Sequence, residues 1–119
     1  MRGQYKRSNR SKACSFNRET TLAIHRRDQG CIFCRTGRWP GATEYEKRWL
    51  ETAHIVNRSQ GGMGKKTNGV AACKFHHAQL DNGNKGWRSE MLEYAREYMR
   101  QQYPGGNLED QVYQKNRFR

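Results

Sequence analysis

The sequence has no long apolar run and few hydrophobic residues. Only 34% of its 119 residues are hydrophobic, and the mean hydropathy is −1.21. No stretch is long enough for a membrane span or for the core of a signal peptide, so we expect an intracellular, soluble protein. Such low hydropathy is also typical of partial disorder. The 3 tryptophans, the 6 tyrosines and a plausible metal site favour a folded domain instead.

Acidic residues are scarce as well. The chain has 11 Asp and Glu against 23 Lys and Arg, for a formal net charge of +12 at pH 7. This balance predicts a polyanionic partner, with nucleic acid the first candidate, although a ribosomal-type or membrane-surface protein would share it. Residues 1–13 contain basic residues and no acid, which predicts a flexible basic arm that either solubilises the chain or contacts phosphates.

At this length we expect one small domain, over residues 14–103, followed by a polar, basic tail over residues 104–119. There is no internal repeat. Apolar spacing, caps and turn residues predict four elements: a helix from Asn17 to about Asp28, a strand from Trp49 to Val56, a helix from Val70 to about Leu80, and a packing helix from about Arg88 to Tyr103. The glycine-rich residues 57–69 between the strand and the second helix predict a long ordered loop.

Few apolar side chains are available to bury these elements. The core candidates are Leu22 and Ile24 in the first helix, Leu50, Ile55 and Val56 in the strand, and Leu92, Ala95, Met99 and Tyr103 on one face of the last helix. A structural zinc ion could replace part of the missing apolar burial.

Two half-sites with metal-ligand spacing stand far apart in the chain. They are Cys31-x-x-Cys34 and Cys73-x-x-His76. Three thiolates and one imidazole suit a tetrahedral, structural Zn²⁺ better than Mg²⁺ or Ca²⁺. A redox pair at Cys31 and Cys34 would need a thioredoxin-like βαβ context, which is absent.

The choice of the fourth zinc ligand is open between two histidines. On a helix His76 and His77 could each reach the metal of Cys73, and the tighter spacing favours His76. Cys14 is left over as a free thiol.

The remaining polar residues of this region are His54, Asn68, His77 and Asp81. A lone histidine in an apolar strand is usually a satisfied core residue, but a neutral imidazole is also the natural general base near pH 7. Asn68 can cross-link a loop through its amide, and His77 is a natural metal ligand.

Three motifs over about Asp28–Asp81 together resemble a known family. They are R-D-Q-G-C-I-F-C, A-H-I-V-N-R-S-Q-G-G and T-N-G-V-A-A-C-K-F-H-H. Their order and spacing resemble the HNH endonucleases, and the chain is similar to the small, zinc-stabilised form often carried by phages and mobile elements. The resemblance implies an α+β, ββα-metal domain with flanking helices, in which a β-hairpin from about Trp49 encloses the loop and is followed by the helix from Val70.

The resemblance also implies roles for individual residues. His54 takes the place of the general base, Asn68 that of the loop-holding asparagine, and His77 that of a ligand to the catalytic metal. His76 stands where many members have a fourth cysteine. Ala53 is a departure, because the family commonly has another metal ligand there. Water, the scissile phosphate or Asp81 could substitute for it, and Glu51 is a weaker candidate.

The implied activity is hydrolysis of DNA phosphodiesters to 5′-phosphate and 3′-hydroxyl ends, with Mg²⁺ or another divalent ion such as Mn²⁺ or Ni²⁺ as the catalytic metal. Arg58, Lys65 and Lys66 are expected either to hold the DNA backbone or to be merely solvated. A phage or host protein could supply specificity. A monomer would nick and a homodimer could cut both strands, in the cytoplasm of a bacterial or phage-infected cell.

Two alternatives use fewer of these residues. A non-catalytic, zinc-containing nucleic-acid-binding module needs the Cys and His ligands and the positive charge, but has no use for His54 together with Asn68 and His77. A ribosome- or polymerase-associated structural protein is the third reading.

Overall fold

The computed structural model describes residues 8–83, 85–106 and 111–113. In chain order its elements are α1 (Asn9–Ala13), α2 (Arg18–Asp28), α3 (Glu44–Arg48), β1 (Leu50–His54), β2 (Gly69–Cys73), α4 (Lys74–Asn82) and α5 (Arg88–Gln102). Short 3₁₀ turns lie at Cys34–Thr36, Arg58–Gln60 and Lys66–Asn68. None of the helices in these described ranges has the length and apolar character needed to cross a membrane.

The two strands form an antiparallel hairpin, which confirms the α+β class. Leu50 pairs with Cys73 at the open end, and His54 pairs with Gly69 at the loop end. The helix predicted from Val70 is therefore wrong for residues 70–73, which form β2, and the helix begins only at Lys74. All five residues of β2 are buried, and a short, fully buried apolar run has no periodicity that separates strand from helix.

Helix α2 begins and ends where its sequence predicts. The Asn17 side chain accepts a hydrogen bond from the backbone N–H of Thr20 at 2.8 Å, and Gln29 ends the helix in the left-handed conformation with φ of 53°. Ile24 is fully buried, whereas Leu22 is 47% exposed, so the prediction that Leu22 contributes to the core is wrong. Helix α2 contacts the sheet through one narrow edge.

Asp28, at the end of α2, joins three elements through a buried carboxylate. Its Oδ2 accepts from the backbone N–H of Ala71 in β2 at 2.8 Å, and its Oδ1 accepts from the Tyr98 hydroxyl of α5 at 2.6 Å. The Arg27 guanidinium pairs with both oxygens, at 2.5 and 3.0 Å. Because every oxygen of this buried acid has a partner, its burial is compatible with a stable fold.

The core lies between the hairpin, the Cys31–Trp39 segment and α5. Its largest fully buried side chains include Phe33, Trp39, Ile32 and Met91. Ala53 on β1 and Ile55 just after it are buried, whereas Leu50 at the start of β1 is 40% exposed. The prediction of Leu50 as a core residue is therefore wrong, because it falls on the opposite face of the pleat from Ala53 and Ile55.

Helix α5 covers the core with one face, as its spacing predicts. It runs over Arg88–Gln102, and Glu90 lies in its first turn. Ala95 and Met99 are buried as expected, together with Met91, while Leu92 and Tyr103 contact the core from its margin.

Two described segments, α1 and residues 111–113, contact the loop between the strands. Residues 1–7 of the basic arm predicted over 1–13 lie outside the described residues. The last part of this arm forms α1 rather than a flexible segment. The predicted tail over 104–119 is described only at 104–106 and 111–113. There Val112 bridges to Gly62, and the N–H of Met63 donates to the carbonyl of Gln111 at 2.7 Å. These two segments therefore help to shape the loop.

Candidate functional site

Cys31, Cys34, Cys73 and His76 come together although the two half-sites are about forty residues apart. Within the described part of the chain they form the one group of metal-type ligands, with all four ligand atoms inside 4.8 Å of one another. The structure thus selects His76 over His77 for this cluster. All four cysteines of the chain are free thiols, Cys14 among them, and none forms a redox disulfide.

The distances inside this Cys₃His cluster match a tetrahedral zinc site. His76 Nδ1 lies 3.6 Å from Cys31 Sγ, 3.5 Å from Cys34 Sγ and 3.2 Å from Cys73 Sγ. Cys34 Sγ and Cys73 Sγ are 3.7 Å apart. With Zn–S bonds of about 2.3 Å and Zn–N bonds of about 2.0 Å, a tetrahedron separates two sulfurs by about 3.8 Å and a sulfur and nitrogen by about 3.5 Å. The residues therefore fit a zinc ion.

Local backbone structure aims these ligands at one point. The N–H of Cys34 donates to Cys31 Sγ at 3.4 Å, and the N–H of His76 donates to Cys73 Sγ at 3.5 Å, with Cys73 at the N-cap of α4. His76 Nε2 donates to the backbone carbonyl of Trp39 at 2.7 Å. That bond fixes the tautomer and leaves Nδ1 directed at the three sulfurs, as second-shell partners of metal-bound histidines do.

The thiols differ in how readily they ionise. Burial opposes ionisation of Cys31, but its bonds with His76 and with backbone N–H groups outweigh burial and lower its pKa to about 6. Burial and the charge of Cys31 raise the pKa of Cys34 to about 12. A divalent cation among the sulfurs would stabilise all three as thiolates and release their protons.

His54 lies at the loop end of β1 and is held from two sides. Its Nε2 is 2.8 Å from the backbone carbonyl of Cys14, and its ring stacks against Phe16 with the centroids 4.3 Å apart. A carbonyl can only accept, so Nε2 carries the proton and Nδ1 keeps the lone pair. Burial lowers the pKa of His54 below its usual 6.5. The side chain is thus a neutral imidazole with one basic nitrogen.

Asn68 is fully buried and ties the loop between the strands together. Its Oδ1 accepts from the N–H of Val56 at 2.8 Å, and its Nδ2 donates to the carbonyls of Val56 at 3.2 Å and Met63 at 2.9 Å. The backbone carbonyl of Asn68 also accepts from the N–H of Ile55 at 2.9 Å. These bonds confirm the predicted cross-linking role and fix the backbone directly after His54.

His77 lies on α4 between two carboxylates. Its Nδ1 is 2.7 Å from Glu51 Oε1, and its Nε2 is 3.9 Å from Asp81 Oδ2. An ionised carboxylate only accepts, so Nδ1 donates to Glu51, while Nε2 faces Asp81. The charges of His77 and Asp81 also act on the pKa of His54. The structure therefore places His54, His77 and Asp81 within electrostatic reach of one another.

The three predicted DNA contacts differ in their surroundings. Lys65 and Lys66 are exposed, and Lys66 Nζ lies 5.7 Å from the centre of the Tyr103 ring. The Arg58 guanidinium instead donates to Ser15 Oγ at 2.8 Å and to Ser11 Oγ at 3.1 Å. Arg58 therefore holds the N-terminal segment against the loop, and its contact with DNA stays a prediction.

The sequence gives little sign of three groups that shape this site. The Cys14 carbonyl and the Phe16 ring reach His54 from a segment forty residues upstream, which no local spacing reveals. The sequence reflects this packing only in the glycine at position 69, which pairs with His54. A Cβ at Gly69 would lie 2.7 Å from the Phe16 and Ile24 side chains. The role of Glu51 follows only from the strand–helix contact.

Comparisons with the sequence profiles of known protein families and with curated proteins give no match, so the functional interpretation depends on these residues and their geometry.

We expect Cys34→Ala to abolish zinc binding and cooperative folding, because structural zinc contributes about 10–16 kcal/mol in small domains at neutral pH. Elemental analysis should give about one zinc per wild-type chain and none for the variant, and circular dichroism should show the loss of fold. Cys14→Ala is the control, since Cys14 lies outside the cluster and the zinc should remain. A folded wild-type protein without zinc would contradict the assignment.

We expect Arg58→Ala to loosen the N-terminal segment. The N–H of Gly64 donates to the carbonyl of Ala13 at 2.8 Å, so its hydrogen exchange reports this docking. Loss of the Arg58 bonds should speed that exchange about tenfold, since each hydrogen bond contributes about 0.5–1.5 kcal/mol. Lys12→Ala removes an equal charge from exposed α1 and should leave the rate unchanged. Equal rates in both variants would refute the tethering role.

Proposed function

We propose that this protein is a metal-dependent DNA endonuclease of the HNH type, which hydrolyses phosphodiester bonds. The observation that carries the proposal is the fixed orientation of His54. Because Nε2 is hydrogen-bonded to the Cys14 carbonyl at 2.8 Å, Nδ1 is the nitrogen of the neutral ring that can act as a base. The charges of His77 and Asp81 act on the pKa of His54, so its surroundings are not those of a histidine buried only for core packing.

In the proposed reaction His54 Nδ1 accepts a proton from the attacking water. Asn68 supports this step indirectly, because its bonds to Val56 and Met63 hold the loop that follows the base. Phe16 covers one face of the ring and, with the Cys14 carbonyl, prevents its rotation. The result is a base aimed in one direction before substrate arrives, which lowers the entropic cost of the step.

His77 and Asp81 are the residues that would hold the catalytic cation. His77 Nε2 and Asp81 Oδ2 are 3.9 Å apart, and the Asp81 side chain is 63% exposed, so a small rotation of Asp81 would bring both atoms within about 2.1 Å of one divalent ion. Glu51 orients His77 through Nδ1, as carboxylates do behind metal-bound histidines. The ion, when bound, would stabilise the charge on the phosphate and on the leaving 3′ oxygen. Ala53 offers no ligand to such an ion, and the carboxylates of Asp81 and Glu51 take its place.

The net charge of +12 supports a DNA substrate, and exposed Lys65 and Lys66 lie in the loop that ends at Asn68. Such contacts position a duplex without reading its sequence. A single small domain of this kind would nick one strand, or cut both as a homodimer, with any sequence preference supplied by a partner protein. The products would carry 5′-phosphate and 3′-hydroxyl ends, as in the family it resembles.

Supercoiled plasmid tests the activity. The zinc-loaded wild-type protein should nick or linearise it with added Mg²⁺, Mn²⁺ or Ni²⁺ and not with excess EDTA, and His54→Ala should be slower by about 10²–10⁴-fold, the usual contribution of a general base. His25→Gln is a matched control: His25 is a partly buried histidine that contacts Thr52 instead. If all the proteins bind DNA and retain zinc but none cuts, the non-catalytic binding module is the better reading.

The rate should depend on pH in a defined direction. Because burial lowers the pKa of His54 below 6.5, the rate should rise with pH, reach half its maximum below pH 6.5 and be level by about pH 7. Single-turnover cleavage of a labelled duplex would measure this, with zinc content checked at each pH. A midpoint above 6.5 would be inconsistent with a buried, neutral base.

A further inference from the structure

Tyr45 and Trp49 form an exposed aromatic patch at the open end of the hairpin, where the next residue, Leu50, is exposed as well. Their exposed fractions are 63%, 52% and 40%. The Tyr45 and Trp49 rings lie 6.1 Å apart and are inclined by 30°. Large aromatic side chains left in solvent on so small a core are unusual, because burying them would stabilise the fold. Folding alone does not explain why these two rings remain outside.

Cations lie on the Trp49 side of this aromatic patch. Lys74 Nζ lies 6.0 Å from the centre of the Trp49 ring, and exposed Arg48 precedes Trp49 in the chain. The nearby acids are already engaged: Glu44 pairs with Lys47 at 3.4 Å, and Glu46 closes the capping box of α3 with Thr43. An aromatic surface flanked by cations is complementary to a nucleic acid rather than to an apolar protein surface.

The patch lies next to the proposed catalytic site. Two positions at the start of the hairpin contact α4: Trp49, just before β1, meets Lys74, and Glu51 on β1 meets His77. Trp49 and Glu51 are two residues apart on an extended chain, about 7 Å. Lys74 and His77 are three residues apart on one face of α4, about 4.5 Å along its axis. A nucleic acid strand bound at His77 would therefore reach Trp49 within about two base steps of 3.4 Å.

We propose that Trp49 and Tyr45 stack against an unpaired base of the DNA strand, next to the phosphate that is cut. The faces of bases inside a duplex are covered by their neighbours, so an aromatic platform engages a base only where the strand is single or splayed. Lys74 then meets the phosphate of the stacked nucleotide. The preferred substrate is DNA with unpaired nucleotides beside the cleavage site, such as a gap, a flap or a single-stranded end.

This inference depends on the proposed nuclease function for the choice of DNA and for the location of the cut, but the stacking can be measured without cleavage. All binding variants carry His54→Ala, with zinc present and no other divalent ion added. The probes are a labelled single-stranded oligonucleotide and the blunt duplex of the same sequence. Binding is followed by fluorescence anisotropy, and circular dichroism and zinc content confirm folding.

Trp49→Ala should weaken single-strand binding by about tenfold and duplex binding by less than about twofold, since stacking on an aromatic side chain contributes strongly per base. Tyr45→Ala should act in the same direction, and Trp49→Phe should restore most of the affinity. Leu22→Ala is the matched control, because Leu22 is an exposed apolar residue on α2, outside the patch. Equal losses of affinity for both probes, or no loss for either, would overturn the proposal. No loss for either probe would indicate that the patch binds a protein instead.

A cleavage assay with His54 intact separates the two proposals. Wild-type protein should cut a duplex with a short single-stranded gap faster than the blunt duplex, and Trp49→Ala should remove that preference. If the protein cuts both DNAs equally and Trp49→Ala changes nothing, the nuclease stands and the stacking role is refuted. If nothing is cut but Trp49 still governs single-strand binding, the stacking role stands and the nuclease function is refuted.

Discussion

The convergence of Cys31, Cys34, Cys73 and His76 is the constraint on which the other features depend. These side chains connect the Cys31–Trp39 segment to the junction of β2 and α4, and the Trp39 carbonyl receives the outer nitrogen of His76. The apolar core around them is small, and the mean hydropathy of −1.21 shows how little else is available for burial. A cation held by the four ligands would close a loop of about forty residues and stabilise the start of α4.

The same junction determines what α4 presents on its other side. His76 faces the cysteines, so the next residue, His77, must face away from them, toward β1. There His77 contacts Glu51. Lys74, one turn before His77, contacts Trp49, and Asp81, one turn after His77, lies 3.9 Å from it. The structural cluster and the proposed catalytic residues are thus two faces of one helix. A shift of α4 by one residue would disrupt both.

Segments outside the hairpin complete the surroundings of His54. The N-terminal segment brings the Cys14 carbonyl and the Phe16 ring to the imidazole, and Arg58 fastens that segment to the loop. From the other end of the chain Gln111 accepts a hydrogen bond from Thr67 at 2.6 Å, next to Asn68. The hairpin and α4 supply the reactive groups, while the two ends of the chain restrict how those groups can move.

Features that depend on neighbours within one or two turns were determined by the sequence itself: the Asn17 cap, the two chelating half-sites and the buried face of α5. The tertiary structure alone decided that Val70–Cys73 is a strand, because only its pairing with β1 distinguishes a short apolar strand from a helix. It also decided that Glu51 orients His77, that the Cys14 carbonyl fixes the tautomer of His54, and that Arg58 is engaged by the N-terminal segment. These contacts join residues 26 to 47 positions apart, and local propensity carries no information about which distant groups the packed core will bring together.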